Sequence, residues 1–215
     1  MIAAALLLAS APVSTAVDAE LAFARDARRI GQWSAFRKWA DRDAVMFTPQ
    51  AVWATTFLKP LKNPPNAISW RPVQSYVSCD GRTAVNTGPW FKQDHTLAGY
   101  FTTVWQRTPR GWRWVYDGGG PAAPDTSIKE GKPAVKVASC RTKAPGAPIS
   151  APPPLTPKEA RTTPEDNGRG QSADKTLGWE WKVAQDGSRT LRVYQWNGRR
   201  YTTVLSNDVP APPAR

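Results

Sequence analysis

The sequence predicts an α+β fold, with N-terminal helices packed on a curved antiparallel sheet and a three-stranded β meander near the C terminus. Apolar residues first recur every three or four positions, which is typical of helices. From about residue 73 they alternate at every second position, which is typical of strands. Turn dipeptides such as Asp80-Gly81 separate the strand-like runs, so neighbouring strands are expected to pair as antiparallel hairpins.

The first helix is predicted to begin at a cap, Asp18, and to end at Gly31. Its apolar side has helical spacing and consists of Ala19, Phe23, Ala27 and Ile30. We assign the charged residues between them to the solvent-facing side: Glu20, Arg25, Asp26, Arg28 and Arg29. This pattern predicts an amphipathic helix that covers a core with one face.

Two shorter helices and a buried strand are predicted before the sheet. The second helix has an apolar side, formed by Trp33, Phe36, Trp39 and Ala40. Residues 44–48 form a short apolar run that Pro49 ends, as in a buried strand. Residues 51–59 again show helical spacing, and Pro60 ends that third helix.

The predicted sheet is a run of hairpin-connected strands over residues 73–79, 83–91, 100–107 and 112–117. The polar loop 92–99 holds the single histidine of the chain, His95. A glycine triplet at residues 118–120 closes this unit, and residues 134–140 would add one more strand.

The composition then divides the chain into segments. These are a signal peptide over residues 1–16, a helix-and-sheet domain over 17–140, a proline-rich linker over 141–176, the meander over 177–206 and a disordered tail over 207–215. The linker has few large apolar side chains and is expected to stay extended. The meander has turns at Asp186-Gly187 and Asn197-Gly198. A sheet of about 30 residues is marginal in water, so we expect it to dock on the N-terminal sheet or on a partner.

The N-terminal segment predicts export to the periplasm or secretion. Residues 2–13 are apolar but shorter than the roughly 20 residues that span a bilayer. Small residues follow at positions 14–16 and fit a signal-peptidase site, and positions 9–11 offer a second one. No Lys or Arg precedes the apolar run, which leaves the translation start open. The rest of the chain has no apolar run long enough to predict a membrane span.

The two cysteines, Cys79 and Cys140, are expected to form a disulfide if the chain is exported. The bond would close a loop of about 60 residues and stabilise the fold by about 4 kcal/mol in the chain-entropy description. Two separate buried thiols are the alternative. One histidine and two distant cysteines do not predict a metal site, and no motif predicts a cofactor.

The net charge of +12 is spread along the whole chain and not concentrated in blocks. A spread basic surface favours loose attraction to anionic partners. No nucleic-acid-binding motif accompanies the charge, so nucleic acid is not the predicted partner. Envelope polymers or lipid head groups would be the anionic partners of an exported protein.

Residues 19–118 resemble the nuclear transport factor 2-like, or SnoaL-like, cone fold, in particular its exported members without an assigned function. The resemblance lies in the segments AELAFARDARRIG, WSAFRKWA, DAVMFTP and GYFTTVWQRTPRGWRWVYD. It implies a bent sheet around the helices with a deep apolar pocket, and it implies either ligand binding, dimerisation or isomerase, cyclase or dehydratase chemistry. A homodimer through the sheet is one such expectation. The acid and tyrosine set of the steroid-isomerase branch has no counterpart here.

Within that resemblance, the pocket is expected to be lined by aromatic residues: Trp39, Phe47, Trp53, Trp90 and Tyr100. Core packing of helix against sheet is the alternative explanation for the eleven tryptophans. Asp117 is a candidate pocket acid, or otherwise a cap for the glycine turn. His95 beside Asp94 is a weaker candidate base, or otherwise a surface residue.

Three functions follow as hypotheses. The first is a binding protein for a small apolar ligand. The second is an enzyme of the isomerase, cyclase or dehydratase kind that uses Asp117 or His95. The third is an envelope module that holds anionic glycans or surfaces through its basic residues.

Overall fold

The computed structural model describes residues 14–121, 131–149 and 166–213, and this part of the chain is α+β. Its helices are α1 (Ala16–Ile30), α2 (Gln32–Trp39) and α3 (Ala54–Leu58). Its strands are β1 (Ala40–Phe47), β2 (Ala51–Trp53), β3 (Ser69–Trp70), β4 (Gln74–Val77), β5 (Thr83–Phe91), β6 (Leu97–Thr108), β7 (Gly111–Pro121), β8 (Ala134–Val137), β9 (Asn167–Gln171), β10 (Leu177–Val183), β11 (Arg189–Trp196) and β12 (Tyr201–Val209).

The larger sheet contains eight strands and is mixed. Its order is β2-β1-β7-β6-β5-β4-β8, with β3 paired to β5. The predicted antiparallel hairpins β4-β5-β6-β7 are present. However, β1 joins β7 in parallel and β8 joins β4 in parallel. The prediction of a purely antiparallel sheet was therefore wrong, because these two strands enter the sheet from outside the hairpin run.

The helical layer covers one face of this sheet. Helix α1 begins one turn earlier than predicted: Thr15 is the N-cap, and Asp18 completes a capping box with it. Trp105 of β6 and Trp114 of β7 are fully buried against Phe23 and Phe36 of the helices. The third helix is shorter than predicted, because residues 51–53 pair with β1 as strand β2.

Two acidic residues of α1 are not on the solvent side where the sequence pattern placed them. Glu20 is wholly buried and Asp26 is 7% exposed. Each accepts hydrogen bonds from tryptophan indole N–H groups, Glu20 from Trp70 and Trp105 and Asp26 from Trp39. The charged residues were assigned to solvent by type, and these bonds explain how two of them enter the core.

The opposite face of the large sheet is covered by a second sheet, with strand order β12-β11-β10-β9. A shared cluster joins Val85 and Val104 of the first sheet to Trp181, Leu191 and Val193 of the second. The meander therefore docks on the N-terminal sheet within the same chain. A homodimer through the large sheet stays a prediction, and in the described residues this face is already occupied.

The second sheet has four strands, and the prediction of three was wrong. The extra strand, β9, lies in the segment predicted as a linker. It carries glycines in place of apolar residues: a Cβ at Gly168 would lie 2.7 Å from the Trp181 ring, and one at Gly170 would lie 2.1 Å from the Trp179 ring. The glycines of this strand leave space for two indole rings. Because glycines give no alternation of apolar and polar residues, the hydropathy pattern did not predict the strand. Strand β12 also extends to Val209, into the segment predicted as a disordered tail.

Several side chains tie the two sheets together at their ends. Gln195 of β11 donates from its amide to the carbonyl oxygens of Val77 and Lys136. Asn207 of β12 donates to the hydroxyl of Thr102, at 2.7 Å. Cys79 and Cys140 form a disulfide beside the first of these contacts. The predicted signal peptide lies almost wholly outside the described residues, and no helix within them is both long and apolar enough to cross a membrane.

We expect the two sheets to unfold together, because they share one buried cluster. Leu191→Ala removes a side chain that is 1% exposed and should lower the free energy of unfolding by about 2–5 kcal/mol. Urea titration followed by both tryptophan fluorescence and far-ultraviolet circular dichroism should give coincident transitions. The control is Val135→Ala on the exposed strand β8, which should change the free energy by less than about 0.5 kcal/mol. A separate early transition for the second sheet in Leu191→Ala would contradict this interdependence.

Candidate functional site

A cavity of about 510 Å³ lies where the helical layer and the ends of β5–β7 meet residues 166–213, which we call the C-terminal unit. Its N-terminal wall is mostly apolar and includes six aromatic residues: Phe36, Phe47, Trp70, Trp90, Tyr100 and Phe101. The volume is in the range of small-molecule sites, which are commonly apolar with a few polar groups. Such a cavity suits a compact organic molecule.

The C-terminal unit supplies the second wall of this cavity. Arg189, at the start of β11, and residues 210–213, after β12, line it. The turn that precedes Arg189 is held by Gln50, whose amide donates to the carbonyl oxygens of Ala184 and Gln185. The site therefore depends on the docking of the second sheet and is not formed by the N-terminal domain alone.

The structure brings three of the five predicted aromatic residues to this cavity: Phe47, Trp90 and Tyr100. The other two lie in the core. Trp39 packs edge-on against Trp105 with ring centroids 5.7 Å apart, and its indole N–H donates to Asp26. Trp53 is 1% exposed and belongs to the cluster between the sheets. For these two tryptophans, core packing is the role that the structure shows.

Asp117 lies on the cavity wall because of a register shift in β7. Trp114 pairs with Trp105 and Tyr116 pairs with Val104, so one residue of β7 bulges between them. The shift turns Tyr116 towards the second sheet and Asp117 towards the cavity. The hydroxyl of Thr103 donates to Asp117 Oδ2 at 3.0 Å.

The pKa of Asp117 is raised to about 7, mainly by burial of its carboxyl. The hydrogen bond from Thr103 and the positive charge of Arg189 act in the opposite direction, by favouring the ionised form. Asp117 can therefore change its protonation state near neutral pH. A carboxyl with such a pKa can accept or release a proton at a bound molecule.

His95 lies away from the cavity, on the exposed turn between β5 and β6. It has a positive φ of 63°. The neighbouring carboxylate of Asp94 accepts hydrogen bonds from the backbone N–H and hydroxyl of Thr96, at 3.0 and 2.6 Å. Asp94 is thus engaged in its own turn, and the geometry does not make His95 a cavity base.

A buried carboxyl lies directly behind the cavity wall. Trp70, which lines the cavity, donates its indole N–H to Glu20 Oε1 at 2.8 Å. Trp105 donates to Glu20 Oε2 at 2.6 Å, and the Asn86 amide donates to the same oxygen at 3.3 Å. Burial raises the pKa of Glu20 to about 8, although these three hydrogen bonds favour the ionised form.

Arg189 is the cationic group of the cavity wall and is 7% exposed. Its guanidinium lies over the Phe47 ring, with its Cζ 4.2 Å from the ring centroid. Its Nη2 donates to the carbonyl oxygen of Gly119, and it also interacts with the Tyr116 side chain. Its Nε–H is buried without an acceptor among the described residues.

The sequence patterns missed Arg189 and Glu20. Glu20 follows Ala16 by four positions and precedes Phe23 by three, so it shares their helix face, and this spacing could have located it. Arg189 follows a turn in a unit that was considered only as a docking partner, and no local pattern marks it. Among the described residues, no group of three histidines, cysteines or acidic residues could hold a metal ion.

Comparisons with known proteins leave the family open. No protein-family model and no curated protein matches the chain. Among solved structures, the chain is similar to a protein from Novosphingobium aromaticivorans that is provisionally assigned as an aromatic ring hydroxylase. That match has 15% identity and a TM-score of 0.36, and it covers 50% of this chain and 86% of the other. A TM-score below 0.5 does not establish a shared fold or a shared activity.

Replacement of Glu20 tests the buried carboxyl. Glutamine offers one acceptor oxygen, so Glu20→Gln leaves one of the two indole N–H groups without an acceptor. We expect the free energy of unfolding at pH 6 to fall by about 1–3 kcal/mol. The matched control is Asp94→Asn on an exposed turn, because both hydrogen bonds from Thr96 go to Oδ1, which an asparagine keeps.

The difference in stability between the native chain and Glu20→Gln should also depend on pH. The pKa of Glu20 is raised from 4.5 to about 8 on folding, so its protonation stabilises the folded chain fully below pH 4.5. This contribution is lost as the pH rises through 8. The advantage of the native chain over Glu20→Gln should therefore shrink between pH 5 and pH 9 in urea titrations. A difference that stays constant over this range would contradict the raised pKa.

Proposed function

We propose that this chain is a binding protein for a small, largely apolar molecule, which it holds in the cavity between its two units. The observation that carries the proposal is the aromatic wall of a cavity of about 510 Å³. Trp90 and Phe101 offer flat apolar surface, and Asp117 and Arg189 offer a few polar groups for orientation. This combination favours a ligand with an apolar body and one polar end.

We also propose that the chain is exported and that residues 19–118 have the nuclear transport factor 2-like cone arrangement. The disulfide between Cys79 and Cys140 supports export, because such bonds persist in oxidising compartments. Helices that precede an antiparallel hairpin run and pack on one of its faces support the cone arrangement. The basic surface remains a candidate for contact with anionic envelope polymers.

A second candidate function is proton transfer on the bound molecule, of the kind that isomerases, cyclases and dehydratases perform. The observation that favours it is the cavity-facing carboxyl of Asp117, which has a pKa of about 7. An ionised Asp117 could take a proton from a carbon next to a carbonyl. Arg189, on the same wall, would stabilise the negative charge that develops on the carbonyl oxygen.

Ligand binding can be tested with a panel of bicyclic aromatic compounds, both neutral and acidic, added to the purified protein. Because Trp70 and Trp90 line the cavity, binding should change tryptophan fluorescence and raise the melting temperature. Trp90→Ala should weaken binding about tenfold, or about 1.4 kcal/mol, because it removes one aromatic wall. Trp196→Ala is the matched control, since Trp196 packs on Tyr201 and neither residue lines the cavity. Absence of binding by every compound up to its solubility limit would reject the proposal.

Proton transfer can be tested with 2-tetralone in D₂O, by following the loss of its α-proton signals in the NMR spectrum. The second candidate function predicts exchange faster than in buffer, with a rate that rises through pH 7 as Asp117 ionises. Asp117→Asn should abolish the excess rate. Asp94→Asn, on the exposed turn, should leave it unchanged. Exchange at the buffer rate in the native protein would reject this candidate for ketones.

A further inference from the structure

Within the described part of the chain, no direct ion pair balances the charge of Arg189. Among residues 14–121, 131–149 and 166–213, no carboxylate oxygen lies within 4.0 Å of its guanidinium. The partners that it does have are uncharged: the Gly119 carbonyl oxygen, the Tyr116 side chain and the Phe47 ring. Buried charges are normally paired, because an unpaired one is costly in a medium of low polarity.

Another arginine of the same strand, Arg192, forms an ordinary ion pair. Arg192, also in β11, donates to Asp208 of β12 at 2.7 Å, outside the cavity lining. Asp208, an acid of the second sheet, is therefore paired with Arg192. Another acid, Asp117 of β7, lies beyond ion-pair distance on the same cavity wall.

We propose that the cavity selects an organic anion, namely a compact aromatic carboxylate, and that Arg189 supplies the positive charge that attracts its carboxylate. This inference rests on the proposed ligand-binding function. The aromatic body would occupy the space beside Trp90 and Phe101. The carboxylate would lie towards Arg189, where a negative charge replaces the missing ion-pair partner. An anion is favoured over a cation because the uncompensated buried group is positive.

Asp117 makes this selectivity depend on pH. The titratable groups around Arg189 are Asp117 and Tyr116 from β7, Tyr100 from β6 and the paired Asp208 from β12. Of these, Asp117 changes charge near neutral pH, and the two tyrosines stay neutral there. When Asp117 is protonated, Arg189 carries the single charge of the wall. The protonated Asp117 can then donate a hydrogen bond to the carboxylate of the ligand. When Asp117 is ionised, it repels the carboxylate, so anion binding should weaken above pH 7.

The test uses a matched pair of probes, 1-naphthylacetate and its neutral analogue 1-naphthylacetamide, titrated into the full chain by calorimetry at pH 6. We expect the native protein to bind the acetate about tenfold more tightly than the amide. Arg189→Met removes the charge but keeps a long unbranched side chain, and it should reduce that ratio to about one. Arg189→Lys keeps the charge and should retain most of the preference. Arg192→Met is the matched control on the same strand and should leave the ratio unchanged.

The outcomes separate this inference from the proposed function. Equal binding of both probes by the native protein would leave ligand binding intact and overturn the anion selectivity. A preference for the acetate that survives in Arg189→Met would overturn the role of Arg189. Absence of binding of both probes would overturn the anion inference, whereas the proposed function is rejected only if every compound of the bicyclic panel also fails to bind. Should Arg189→Met fail to fold, the native protein still decides: the ratio should be several-fold larger at pH 6 than at pH 8, and a ratio independent of pH would overturn the inference.

Discussion

The large sheet is apolar on both faces, and the rest of the structure depends on covering both. Neighbouring residues of β6 show the constraint directly, because Trp105 packs against the helices and Val104 packs against the second sheet. The helices cover one face only. The second sheet has an apolar face of its own, which includes Trp181 and Leu191, and with it covers the other face of the large sheet. Each unit thus supplies the apolar surface that the other needs, and the segment between them serves as a connection within one folding unit.

The tryptophans impose a second constraint, because every buried indole brings an N–H group that needs an acceptor. Glu20 satisfies two of them with its two oxygens, and Asp26 satisfies a third. A carboxyl in an apolar core is costly when ionised, and the raised pKa of Glu20 relieves that cost by protonation. The core is therefore sensitive to pH although most of its large side chains are aromatic. Trp114 shows the limit of this arrangement, since its N–H lacks a partner among the described residues.

Hydropathy patterns could predict the elements that alternate or repeat with an ordinary period. They predicted α1, the hairpins β4–β7 and the turns of the second sheet. They could not predict β9, because Gly168 and Gly170 have no side chains to form an alternating pattern. The space above these glycines is filled by two indole rings. They also could not predict the site as a whole. Phe47, Trp90 and Tyr100 are conspicuous aromatics, whereas the importance of Arg189 comes from a contact across about 70 residues with Gly119.

The position of Arg189 links the two constraints to function. A strand that covers the large sheet also carries this cation into the cavity, so docking of the second sheet and formation of the site are one event. The cost of burying the guanidinium is offset by its contacts with Phe47 and Gly119, and no acid of the described residues contacts it. Asp117 remains on the same wall but apart from it. A site that leaves a buried positive charge without its counterion is incomplete electrostatically, and a bound anion completes it. A ligand in this cavity would contact both units, so its binding would also stabilise the interface between them.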